Sequence, residues 1–160
     1  MAVYFKGGIA QLAAALALSF PVSAETVQGT VTRVIDGDTV VVVSKGRPTT
    51  VRIQGIDAPE KHQTGGDASK QNMKRLADGK RVTMETQKRP DKYGRTVAKV
   101  TADGKDVGLE QIKQGQAQHY KKYQSKQSAK DRRTYSAADR KAPKPSKALS
   151  PEEFRRNNHH

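Results

Sequence analysis

With 160 residues and a formal net charge of +14, from 30 Lys and Arg against 16 Asp and Glu, the chain suits one modest domain with a polyanionic partner. The alternatives for such a charge are an acidic surface as partner or simple solubility. The absence of cysteine excludes disulfides, so packing must supply the stability, with a bound ion as the further source to consider.

Residues 1–24 read as an export signal. Lys6 gives a positive start, Ile9 to Phe20 form a short apolar run, and Val22-Ser23-Ala24 offers small residues for cleavage after Ala24. That run is too short for a hydrocarbon core of roughly 30 Å, and no later segment is longer, so no membrane anchor is expected and the mature chain should be periplasmic or secreted. A monomer is expected. Residues 25–141 then read as the domain, and 142–160, opening with Ala142-Pro143-Lys144-Pro145, as a flexible basic tail.

Within the domain, Val27 to Ile35, Thr39 to Val43 and Thr49 to Gly55 are rich in β-branched residues and separated by turn signals, which predicts three consecutive strands. In the third, Arg52 alternates with Val51 and Ile53 and should face away from the apolar side. Asp67 to Ala77 reads as a helix that Asp67 can cap, ending before Gly79. Arg81 to Thr86 and Arg95 to Thr101 read as strands, with a tight turn at Asp103-Gly104. Val107 to Gln114 and Ser128 to Lys141 complete the set as helices. Five short strands with about three helices predict an α+β fold built on a five-stranded barrel of the oligonucleotide-binding type.

Three segments carry chemistry. Asp36-Gly37-Asp38-Thr39 is either a solvated turn or a source of carboxylates. In Arg52-Ile53-Gln54-Gly55-Ile56-Asp57-Ala58-Pro59-Glu60, an outward Arg leads into a stiffened turn with two acids. Asp38 and Asp57 could contribute oxygens to a hard cation such as Ca²⁺, leaving Glu60 near a water; an ordinary acidic turn with a surface ion pair is the plainer reading. In Asp91-Lys92-Tyr93-Gly94-Arg95, a polar hairpin tip competes with a phosphate grip by Lys92 and Arg95. Together they supply what phosphoryl transfer asks of a protein, namely positioning and charge stabilisation.

These three blocks, in this order, resemble the thermonuclease or staphylococcal nuclease family over about Val27 to Tyr123. The resemblance implies a five-stranded barrel and Ca²⁺-dependent cleavage of DNA and RNA to 3′-phosphate products. It implies that Asp38, Asp57 and the main chain of Ala58 hold calcium, and that Glu60 handles the attacking water. Arg52 and Arg95 would grip the phosphate, and Lys92, Tyr93 and one of Tyr120 or Tyr123 the nucleotide. Ala58 stands where familiar members have Thr, the Lys61–Asp67 stretch is short, and Gln118 replaces a common aromatic residue. A non-catalytic barrel binding single strands is the alternative, and an anion-binding surface protein a more distant third. His62 is expected to be solvated, and His119 either to touch substrate or to pack. Met73 and Met84 are expected in the core, and Tyr135 packed.

Overall fold

The computed structural model describes residues 25–144 and 150–158, so the predicted export signal lies outside the described residues. The elements in chain order are β1 (Glu25–Val34), β2 (Thr39–Ser44), β3 (Arg47–Ile53), β4 (Ile56–Asp57), α1 (Gly66–Ala77), β5 (Arg81–Thr86), β6 (Thr96–Ala102), β7 (Lys105–Asp106), α2 (Val107–Lys113), β8 (Gln118–His119), a 3₁₀ segment (Lys121–Lys126), α3 (Ala129–Lys141) and α4 (Pro151–Asn157). The long strands run β3-β2-β1-β5-β6, and β6 returns to pair with β3 in parallel, closing a five-stranded barrel. This is the oligonucleotide-binding type of architecture that the sequence predicts.

Alternation explains the barrel. Val51 and Ile53 of β3 are buried while Arg52 between them reaches the partly exposed face. Val40 and Val42 of β2, Val82 and Met84 of β5, and Ala98, Val100 and Ala102 of β6 fill the interior, with Met73 of α1 and Ile112 of α2 plugging it from the helical side. Lys45 and Gly46 both take positive φ and close β2 and β3 as a two-residue hairpin, so β3 starts at Arg47, earlier than the sequence suggests.

Helix ends follow local chemistry, with one difference from expectation. Asp106 caps α2 by accepting from the Leu109 amide, and Ser128 caps α3 by accepting from the Asp131 amide. Asp67 does not cap α1. That helix begins at Gly66 behind Gly65 in the left-handed region, and Asp67 sits in the first turn, where its charge favours the positive end of the helix dipole. Tyr135 of α3 is buried and its hydroxyl donates to the Asp106 carboxylate at 2.8 Å, pinning α3 to the start of α2. The expectation that Tyr135 packs therefore holds.

Residues 142–160, expected to be a flexible tail, contain α4. Its start has a reciprocal cap: Ser150 Oγ accepts from the Glu153 amide, the Glu153 carboxylate accepts from the Ser150 amide, and Pro151 occupies the first turn, where no amide proton is needed. Among the described residues, no helix is long and apolar enough to cross a membrane.

Candidate active site

The β1–β2 connection and the β3–β4 elbow meet at one end of the barrel. Thr39 pairs with Arg52 across β2 and β3, and Ile53 donates its amide to the Asp38 carbonyl at 2.8 Å, so the two segments are stitched by backbone bonds. Arg52 is the hub. Its Nη2 stands 3.1 Å from Asp38 Oδ2 and 3.7 Å from Asp57 Oδ1, while Nη1 and Nη2 donate to the carbonyls of Ile53 and Ile56. Asp38 Oδ2 also accepts from the Ala58 amide at 2.9 Å, and Asp38 Oδ1 accepts from the Thr39 hydroxyl at 2.9 Å. Both carboxylates are held in buried positions rather than waving in solvent.

Two further residues place this constellation. Gln111 of α2, fully buried, donates to the Gly37 carbonyl at 2.7 Å and accepts from Asn72 of α1, tying the Asp-Gly-Asp loop to two helices. Gly37 must lack a side chain, because a Cβ there would collide with Ser69 and Ala58. Glu60 opens a loop in which its amide donates to Gln63 Oε1 and its carbonyl accepts from the Gln63 amide. Gly66 packs on the Glu60 carbonyl so tightly that a Cβ would strike it, which fixes the loop against the start of α1.

Burial drives the electrostatics. Desolvation raises the Asp57 carboxyl above its ordinary range, partly offset by Arg155 and Arg52 and reinforced by the charge of Asp38. Asp36 is pushed up to about 6, first by burial and then by the neighbouring Asp38.

The third segment forms a separate edge of the site. Asp91 accepts from the amides of Tyr93 and Arg95 and from Arg95 Nε at 2.7 Å, which shapes the turn and aims the guanidinium. Arg95 directly precedes Thr96, the β6 partner of Val51, so the turn borders the β3 strand that carries Arg52. Lys92 Nζ and Arg95 Cζ lie 4.9 and 5.3 Å from the centre of the exposed Tyr93 ring. Tyr120 and Tyr123 pack edge to face at 5.0 Å, and their proximity, after that of Tyr93, helps raise the Lys92 ammonium.

A two-residue ladder that the sequence does not reveal joins these parts. In it, β4 pairs with β8, Ile56 with His119 and Asp57 with Gln118, and the next residue, Tyr120, donates its amide to the Gly55 carbonyl at 2.9 Å. Tyr120 is thereby set close enough to Asp57 that, after desolvation, the Asp57 charge raises its phenol.

The structure thus gathers Asp38, Arg52, Asp57, Ala58 and Tyr120 directly, with Glu60 one turn away and Lys92, Tyr93, Arg95 and Tyr123 along the adjoining edge. His62 is exposed on its loop. His119 packs, buried between Gln127 and Ser136 at 2.7 and 3.0 Å and edge-on to Tyr135.

Sequence reasoning misses Gln111 and Arg155. A Gln in a short helix carries no signal. Arg155 lies on α4, whose Ser-Pro-Glu-Glu start was a legible helix signal inside the expected tail. Its Nη2 donates to Asp57 Oδ2 and its Nη1 to Glu60 Oε1, both at 2.7 Å.

Asp38 and Asp57 are the two buried carboxylates of the cluster that could contribute oxygens to a hard divalent cation. Both face the Arg52 guanidinium, and the second oxygen of Asp57 is occupied by Arg155. Among the described residues no group of three or more acidic, His or Cys side chains converges, so an ion there would draw its remaining oxygens from main chain, water and substrate.

A closed barrel of this type, basic overall, with paired carboxylates around an arginine and a second arginine beside the exposed Tyr93, fits the class of proteins that handle phosphodiesters. The family model described as "Staphylococcal nuclease homologue" matches residues 50–149. The chain is 41% identical over 106 residues to an "Uncharacterized endonuclease" of Escherichia coli O157:H7, covering 66% of this chain and 69% of that protein. It is 40% identical over 94 residues to an "Uncharacterized endonuclease" of Haemophilus influenzae, with 58% and 52% covered, and 41% identical over 97 residues to "Endonuclease YncB" of Bacillus subtilis, with 55% and 46% covered. The chain belongs to the staphylococcal nuclease homologue family and is a nuclease, a hydrolase of phosphodiester bonds.

Proposed function

We propose that the chain is an exported, calcium-dependent endonuclease that hydrolyses DNA and RNA with little sequence preference and leaves 3′-phosphate ends. The observation that carries this reading is the Arg52 guanidinium 3.1 Å from Asp38 and 3.7 Å from Asp57, a cationic phosphate grip built into the same cluster as the carboxylates. Endonuclease names on the relatives support cleavage over the binding-only alternative.

In this reading Asp38 and Asp57, with the carbonyl of Ala58, hold calcium, which when bound supplies positive charge to a scissile phosphate. Arg52, fixed by two carbonyls, has no freedom to wander and presents its charge where negative charge builds on phosphorus. Arg95 approaches from the neighbouring edge, its direction set by Asp91. Glu60, partly exposed, accepts a proton from water or orients it for in-line attack. Tyr93, Tyr120 and Tyr123 offer ring faces to bases, a contact that tolerates any sequence, and Lys92 adds charge at the flanking phosphate.

The test is digestion of plasmid and of single-stranded RNA across a calcium titration, with a chelator arm and analysis of the product ends. Degradation only with calcium, leaving 3′-phosphate, is the expected result. Undiminished cleavage in chelator would remove the metal from the mechanism, 5′-phosphate ends would reverse the assigned scission, and binding without cleavage would favour the single-strand-binding alternative.

A further inference from the structure

Helix α4 lies on the active site. Pro151 is buried in a cleft bordered by Pro59, Gln63, Gly65, Ala117 and Pro143. One helical turn further on, Arg155 spans two acids, with Nη2 on Asp57 Oδ2 and Nη1 on Glu60 Oε1, each at 2.7 Å. Although partial burial opposes its charge, these two carboxylates hold the Arg155 guanidinium above its ordinary pKa.

Resting on the calcium and Glu60 assignments above, we propose that α4 is an intramolecular occupant of the active site, which metal and substrate must displace. The acidic pair Asp57 and Glu60 is its docking surface, and Arg155 is the group that docks. The physical reason is exclusion. A calcium ion sits about 2.3–2.6 Å from its oxygens, and a guanidinium already donating to the same carboxylate repels it. Glu60 likewise cannot serve a water with the oxygen that Arg155 engages.

Because α4 belongs to the same chain as the site, it competes intramolecularly, at an effective concentration that a free ligand has to match. It is also releasable, because 31% of the Arg155 side chain and 43% of the Glu60 side chain are exposed and the pair is open to solvent screening. Occupancy by α4 lowers the fraction of chains ready for metal, and apparent affinity falls by that fraction.

The experiment is calorimetric titration of calcium chloride into the full chain and into Arg155→Ala, Arg155→Lys and Arg156→Ala. Arg155→Ala should bind calcium about 3- to 10-fold more tightly than the unaltered chain, Arg155→Lys should fall between, and Arg156→Ala should match the unaltered chain. In a second measurement, calcium with a short DNA oligonucleotide should speed tryptic cleavage after Arg155, followed by mass spectrometry. Calcium binding by Arg155→Ala alone would also support the occupant. Equal or weaker affinity in Arg155→Ala, or tryptic cleavage that ignores calcium and oligonucleotide, would overturn it while leaving the calcium reading intact. A drop in kcat of orders of magnitude for Arg155→Ala at saturating calcium would equally overturn it. If neither chain takes up calcium, the calcium reading fails and the competition proposed here fails with it.

Discussion

In the proposed mechanism the sharpest chemistry resides in single guanidinium groups. Arg95 is held by Asp91 through its backbone and side chain but has no part in the core, being partly exposed at the end of a turn. Arg95→Gln should therefore lower kcat on plasmid DNA by roughly 10³-fold or more, the scale of a lost transition-state arginine, while shifting stability by only about 1 kcal/mol or less. Preserved turnover with an unchanged melting curve would strip Arg95 of its role. A second residue-scale outcome concerns Asp36, whose carboxyl is pushed up to about 6 by burial and by Asp38. A carboxyl raised on folding binds a proton more tightly in the native state, so its contribution is present below the unfolded value and is lost as pH rises through about 6. In chelator, the urea midpoint of the unaltered chain should fall relative to that of Asp36→Asn between pH 5 and 7.5. Parallel midpoints would contradict the assignment.

At the scale of elements, what matters is how short pieces of chain are locked together. Gln111 spends both ends of its amide joining α1, α2 and the loop that carries Asp38. Gln111→Leu would leave the Gly37 carbonyl and the Asn72 amide without their partner, at about 1–3 kcal/mol for each buried group so stranded. The melting temperature should drop, and calcium affinity should weaken too because the loop loses its anchor. A variant as stable and as avid as the unaltered chain would show that backbone bonds suffice. The strands were readable from their β-branched runs and the hairpin tips from Lys45-Gly46-Arg47-Pro48, whose last two residues belong to β3, and from Asp103-Gly104, since those signals act within a few residues. The β4–β8 ladder was not. Its strands have two residues each and lie 63 positions apart at Ile56 and His119, too short to show alternation. The start of α4 was legible in Ser150, Pro151 and Glu153, but a Lys-rich neighbourhood suggested a solvated tail.

For the whole molecule, the excess of cations is a property no single contact explains. The net charge of +14 should make kcat/KM on long DNA fall linearly on a log–log plot against salt at fixed calcium, each neutralised phosphate adding a slope of roughly 0.9. A flat profile would mean that the charge serves solubility alone. The sequence by itself pointed to the class of chemistry, because the three blocks holding Asp38, Arg52, Asp57, Glu60 and Arg95 together resemble the nuclease family, although each block alone also reads as an ordinary turn. It also indicated the barrel type, because five short β-rich runs with a helix after the third and helices after the fifth fit that architecture. Only the tertiary structure decided which groups share a carboxylate. Arg155 reaches Asp57 across 98 residues of chain and Gln111 reaches Gly37 across 74, and contacts at such separations depend on closure of the barrel and docking of helices rather than on any local preference.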